Sequence, residues 1–253
     1  MRLFILSLFL FAQASSAQQK NWAVINDPDG STNVRLQPSA TSPAPYQVSQ
    51  YQVFSCTKQP GDWWRFEIPA STAIPLPGGK GYIHKSRVRL FREMPDSALQ
   101  TTICRILANY RASVVAHSRS FDKYLANGKR FSADEEAEHK KLVSRSENLH
   151  EYGYVPLLFY MPDYLQRTRD SVVLLEWCRV LAEDTGSASE TPGYAMAEIF
   201  SQAPEWVARI IRPLPKRERS VVTGQILFGL MELKLPEAKR KAFEKRLREL
   251  ENQ

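Results

Sequence analysis

Cysteine and histidine are scarce in this chain of 253 residues, with three of the first and four of the second. Cys56, Cys104 and Cys178 are too few, and odd in number, to form the disulfide framework of a small secreted domain. Cys56 lies in the strand-like run "VFSC" and reads as a small buried hydrophobe. Cys104 and Cys178 fall in helical segments, where one bridge in an oxidising compartment is the single pairing open to them. After Ala12 no apolar run approaches the roughly 20 residues of a membrane span. A soluble chain without a transmembrane segment is therefore expected. No fixed period recurs, which argues against a regular helical solenoid.

What is present begins with an address. "MRLFILSLFLFAQASSA" places one arginine, Arg2, before an apolar run from Leu3 to Ala12, followed by small residues up to Ala17. That is the order of a secretory signal peptide, residues 1–17, with cleavage expected after Ala17. The chain is expected to be exported, to the periplasm or the extracellular space. Lys and Arg outnumber Asp and Glu by 34 to 27, a net charge of +7, or +6 once Arg2 is removed. After export such basicity suits anionic cell-wall polymers or membrane surfaces, or simply solubility; nucleic acid is not the expected partner.

The grammar changes partway along. From Trp22 to about Phe91 short alternating runs are separated by turn residues: "WAVIN", the turn "DPDG", "TNVRL", the loop "PSATSPAP", "YQVSQYQVF", "DWWRFEI" and "GKGYIHKSRVRLF". Short strands with a turn every few residues predict a small barrel over residues 20–92. After Pro95 the period becomes helical. Leu99, Ile103, Ile106, Leu107, Tyr110 and Val114 recur at spacings of three and four. "SADEE" opens a second helix on a capping box of Ser132 and Glu135, and its low apolar content predicts an exposed helix. "PDYLQRTRDSVVLLEWCRVLAED" reads as the central core helix. Thr191-Pro192 starts another, Pro204 breaks or restarts it, and "SVVTGQILFGLMEL" is buried. The last helix docks by Phe243, Leu247 and Leu250, with Glu237–Lys241 and Glu244–Arg248 pairs on its solvent side. The expectation is α+β and multidomain: a small all-β SH3-like barrel, then an all-α bundle of six or seven helices over residues 95–253.

Four elements in the first half carry a resemblance. Asn33-Val34-Arg35, the Pro38-Ser39 turn, the Trp-bearing "DWWRFEI" and "GYIHKSRV" occur in that order over residues 22–91. This region resembles the bacterial SH3 (SH3b) family, which implies a small barrel that recognises a peptide or a cell-wall fragment, or that docks a partner. Asn33 is expected to bond its own turn, Val34 to point inward, and Gly81 to let the backbone pass beneath a large neighbour. Gln37 stands where the family often has glycine. "PASTAIPLPGGK" is a longer, proline-rich loop that reshapes or covers any groove beside it.

Strand alternation assigns Trp64, Phe66 and Ile68 to the core face of "DWWRFEI" and Trp63, Arg65 and Glu67 to the other. Trp63 is then the aromatic near the surface, where it binds ligand, caps the small core or docks on the helical half. Tyr82 and His84 alternate away from Ile83, and Tyr46 and Tyr51 lie near loops. Trp63, Tyr82, His84, Tyr46 and Tyr51 are the candidate ligand-binding residues, since aromatic rings with polar edges suit peptide and sugar ligands.

The family often accompanies cell-wall hydrolases, whose catalytic patterns set definite requirements on the helical half. A cysteine nucleophile belongs at a helix N-terminus with a histidine on adjacent strands, whereas Cys104 and Cys178 are mid-helix. A zinc site takes about three ligands. His139 and His150 sit on a charged helix and His117 ends the one before. Glu135 and His139 share a face at i,i+4, a pairing charged helices produce by chance. Glu176 in "LLEWC" reads as the partner of Arg179 or Arg169, not as a glycosidase acid. No metal and no cofactor are expected. The reading is an exported, non-enzymatic binding or docking protein. Its rivals are a peptidoglycan hydrolase with its site in the helical half, and a structural or inhibitory partner protein.

Overall fold

The computed structural model describes residues 21–68, 76–128, 130–184 and 190–252. The expected signal peptide, and residues 69–75 of the proline-rich insertion, lie outside the described residues.

The described residues of the first half form seven short strands. They are β1 (Trp22–Ile25), β2 (Ser31–Val34), β3 (Tyr46–Ser49), β4 (Phe54–Thr57), β5 (Trp63–Glu67), β6 (Lys80–His84) and β7 (Val88–Leu90). Five form an antiparallel sheet in the order β6-β5-β4-β1-β7, and β2 pairs with β3 in a separate ribbon. "YQVSQYQVF", expected as one strand, is two. The chain turns at Gln50 and Tyr51, where the Gln52 side chain accepts a 2.6 Å bond from the Ser49 amide, so β3 and β4 enter different sheets.

The ribbon is tied to the sheet just past β2. Arg35 and Tyr82 exchange both backbone bonds, at 2.8 Å each way. Gly81 makes that approach possible. A Cβ there would lie 2.5 Å from Val34 Cγ1 and 2.9 Å from the Arg35 carbonyl oxygen. The glycine thus admits a neighbouring backbone and a mid-sized side chain, not the large side chain expected. Val34 points inward with no exposure, alongside Phe54, Phe66 and Ile83. Asn33 projects outward; the turn before it is bonded by Asp27, which accepts from the Asp29 amide (3.1 Å) and the Thr32 hydroxyl (2.9 Å).

A 3-10 turn at Phe91–Glu93 leads into α1 (Asp96–Ala126), whose buried face includes all six residues picked out by spacing. Then come α2 (Ala133–Leu149), a π turn at His150–Tyr154, α3 (Val155–Leu158), α4 (Met161–Thr168), α5 (Ser171–Glu183), α6 (Thr191–Gln202), α7 (Pro204–Ile211), α8 (Lys216–Glu232) and α9 (Glu237–Glu251). The capping box at Ser132 and Glu135 is complete, and α2 buries only Ser146.

These helical segments, as described, exceed the six or seven expected, for two reasons. The central helix is broken: Arg169 turns left-handed (φ 52°, ψ 38°) and Asp170 caps α5, accepting from the Val172 and Val173 amides at 3.0 and 3.1 Å. Asp170 also accepts from Tyr164 Oη (2.6 Å) and Gln100, so three elements meet on one carboxylate. The second reason is "GYVPLL", which continues helical past Tyr152, where the second helix was expected to end. Its backbone stays helical because Gly153 packs on the Tyr51 carbonyl, 2.6 Å from where a Cβ would stand, and because Tyr154, Leu157 and Leu158 are buried. On α9, Phe243, Leu247 and Leu250 are buried as expected and Glu237 meets Lys241 at 2.7 Å. Glu244, however, faces Arg240 at 3.6 Å and not Arg248.

The halves share a seam. Val24 and Val53 are buried in the same apolar cluster as Leu99, Ile103 and Tyr154. Phe91 packs on Tyr160 at 4.9 Å, and the Val53 amide donates to the Tyr152 carbonyl at 2.7 Å. Among the described residues no helix is long and apolar enough to cross a membrane.

Candidate functional site

The register of β5 on β6 sets Trp63 opposite His84, Trp64 opposite Ile83 and Arg65 opposite Tyr82. Alternation then sends Ile83 and Phe66 into the core and leaves Trp63, His84, Arg65 and Tyr82 on the outer face. Trp63 and His84 meet edge to face, with ring centroids 5.3 Å apart and planes at 85°. The Arg35–Tyr82 bridge brings a third group. The Arg35 guanidinium lies 5.9 Å from the centre of the Trp63 ring, and its Nη1 donates to the Ser42 carbonyl at 2.6 Å.

These groups line a cleft of about 360 Å³ between the β2–β3 ribbon and the β5–β6 hairpin, with Asn33 and Gln47 on the ribbon side. Every described residue lining it belongs to the β half, so among the described residues Trp63 faces this cleft and not the helices. At one end Asp27 and Arg87 neutralise each other at 2.9 Å. Burial raises the Asp27 carboxyl, but bonds from the Asp29 amide and the Thr32 hydroxyl and the nearby Arg87 outweigh it, leaving the group lowered and ionised. Arg35 makes no ion pair among the described residues and is the spare cation of the cleft. The ring of His84 has a defined polarity. Its Nδ1 accepts from the Ser86 amide (3.4 Å) and meets Ser86 Oγ at 2.8 Å. A neutral imidazole held in this way carries its proton on Nε2, a donor. The cleft thus combines an indole face, an imidazole donor and a guanidinium.

The other candidates are placed differently. Tyr82 is half-buried on the same outer face but does not line the cleft. Tyr46 turns toward the β core, 6.0 Å from Phe66, accepts from Gln52 at 3.1 Å, and is pushed by burial to a pKa of about 12. Tyr51 lies under the Arg105 guanidinium of α1 at 5.8 Å, in the seam. Trp64 takes the core face but is only half-buried, with the Lys58 ammonium 5.1 Å from its ring centre. Arg35, Asn33 and Gln47 were not foreseen as site residues. Arg35 carried a signal in its outward place after Val34, but its meeting with Trp63 depends on the bridge between sheets.

The helical candidates resolve into structural roles. All three cysteines are free thiols. Burial raises Cys104 to about 11 and Cys56 and Cys178 to about 12, so none is poised as a thiolate. Glu176 is clamped by Arg111 (3.2 Å) and Arg179 (3.3 Å), while Arg169 instead lies over Trp206 at 5.4 Å. His117 and His139 pack ring against ring, tilted at 52° with centroids 5.4 Å apart, and Glu135 is committed to Ser132 and Lys123. Among the described residues no group of three or more His, Cys, Asp or Glu is placed to hold a metal ion. No family model, curated protein or solved structure matches this chain.

Proposed function

We propose that this chain is an exported, non-enzymatic docking protein. Its β half acts as an SH3b-like barrel that holds a peptide or cell-wall fragment in the Trp63 cleft, and its helical half is the body to which that module is fixed. The observation that carries the reading is the convergence of Trp63, His84 and Arg35 on one cleft of the β half, facing away from the core. An indole buries much area at little entropic cost. The imidazole Nε2–H and the guanidinium are donors, so the matching ligand has a flat apolar surface beside carbonyl or carboxylate oxygens. The barrel assignment draws support from the Gly81 approach and the Arg35–Tyr82 bridge, which link ribbon and sheet at the Asn-Val-Arg motif.

Retention of the full-length mature protein on insoluble peptidoglycan and on a stem-peptide column tests the reading. Wild type should be retained and Trp63→Ala should pass through with an unchanged circular dichroism spectrum. Equal retention of the two would reject it. The hydrolase rival has one observation on its side, a wide cleft in the helical half lined by carboxylates. Clearing of a cell-wall suspension by wild type, and not by Asp184→Asn, would favour that rival.

A further inference from the structure

The helical cleft has a volume of about 830 Å³ and lies between the second half of α1, the end of α2 with the π turn, and the end of α5. The docking reading makes no demand on it. Its floor is a bonded aromatic stack. Tyr110, 2% exposed, donates to Asp184 Oδ2 at 2.7 Å, stacks on Tyr154 at 4.5 Å and lies 5.6 Å from the His150 ring.

Two groups on this floor are left wanting. Asp184 is half-buried and, among the described residues, has no lysine or arginine partner. Burial raises its carboxyl, and only the Tyr110 hydroxyl and the neighbouring His150 oppose that. His150 Nε2 is fully buried without a hydrogen-bond partner among the described residues, while its Nδ1 stands 3.8 Å from Glu151. Native interiors rarely leave such atoms orphaned unless something else satisfies them.

The surroundings favour positive charge. α5 ends here, so the negative pole of its dipole faces the cleft. Asp122, Glu147, Glu151 and Glu183 join Asp184 against the two guanidiniums of Arg119 and Arg217. That local excess of carboxylate sits in a chain of net charge +7. The walls include Val114, Val115, Val143 and the exposed ring of Phe121.

We propose that this cleft binds a primary ammonium group carried on an apolar stem, the chemistry of a lysine or diamino-acid side chain. The ammonium pairs with Asp184 at the end of α5, and the stem lies along the valine wall beside the His150 ring. A guanidinium fits less well. It seeks both oxygens of a carboxylate, and Asp184 Oδ2 is already held by Tyr110.

The full-length mature protein is titrated by calorimetry and by amide NMR with cadaverine, and with 1,5-pentanediol as the uncharged analogue of equal length. Cadaverine should bind saturably and move the signals of His150 and Asp184. Pentanediol should bind at least about tenfold more weakly, the value of one charge-assisted hydrogen bond. Asp184→Asn, which can keep the Tyr110 bond, should weaken cadaverine by a similar factor. Should Asp184→Asn fail to fold, the exposed pair Glu147→Gln and Glu183→Gln leaves the floor intact and should still weaken binding severalfold. Trp63→Ala should bind cadaverine as wild type does, which separates this site from the β cleft. Pentanediol binding as tightly as cadaverine, indifference to the carboxylate variants, or no saturable binding would each overturn the proposal.

Discussion

Replacing Gly81 by alanine tests how the β half is held together and how its cleft is assembled. The added methyl would stand 2.5 Å from Val34 Cγ1 and 2.9 Å from the Arg35 carbonyl oxygen. Val34 is wholly buried, so it has no free space to retreat into. Overpacking of this kind costs about 1–3 kcal/mol. Moving the Arg35 carbonyl also breaks or lengthens the two 2.8 Å bonds between Arg35 and Tyr82, worth about 1 kcal/mol each. The sum, about 3–5 kcal/mol, is a large share of the ~5–15 kcal/mol that holds a typical domain. With a urea dependence of about 1–3 kcal/mol/M, the unfolding midpoint should fall by about 2 M. Urea titration followed by amide NMR gives that midpoint, and hydrogen exchange at Arg35 and Tyr82 shows whether the bridge has opened. Arg35 reaches Trp63 through this bridge, so the variant should lose cell-wall retention even where it is folded. An unchanged midpoint with both amides still protected would refute the account of how ribbon and sheet are joined.

Other perturbations probe the helical half. Tyr154→Phe removes the acceptor of a 3.0 Å bond from Trp177 Nε1 between two side chains with no exposure. Thermal unfolding should report a loss of about 1–3 kcal/mol. Gly224 lies exposed within α8 with nothing within 4 Å of an added Cβ, so Gly224→Ala should stabilise by about 0.5–1 kcal/mol in the same assay. Glu135 is lowered from 4.5 to about 2 by the Lys123 ammonium and by the Ser132 amide and hydroxyl. Its contribution to the start of α2 is therefore complete above pH 4.5 and lost as pH falls through about 2, and hydrogen exchange along Asp134–Glu138 should quicken across that window.

Local pattern was enough to place most elements, because periodicity and capping are properties of neighbouring residues. The 3.6-residue spacing of Leu99 to Val114, the stripe of Phe243, Leu247 and Leu250, the capping box at Ser132 and the alternation about Ile83 all appear in the structure as the sequence implies. The break at Arg169 was missed because a strong apolar run on its C-terminal side outweighed the Asp170 cap, a signal that was present. The helical path of "GYVPLL" could not be read locally, since Gly153 and Val155-Pro156 argue against a helix until Tyr51 is packed beneath them. The same distinction governs the sites. Alternation alone put Trp63 and His84 on an outer face. Their company with Arg35 needs a bridge to residues far along the chain, and Tyr46 and Tyr51 were turned away by packing that begins in other elements. Tyr110, His150 and Asp184 are separated by tens of residues on α1, the π turn and the end of α5, so no spacing rule could join them. Chain-local chemistry determined most of the elements, and long-range packing decided the rest and which side chains share a cleft.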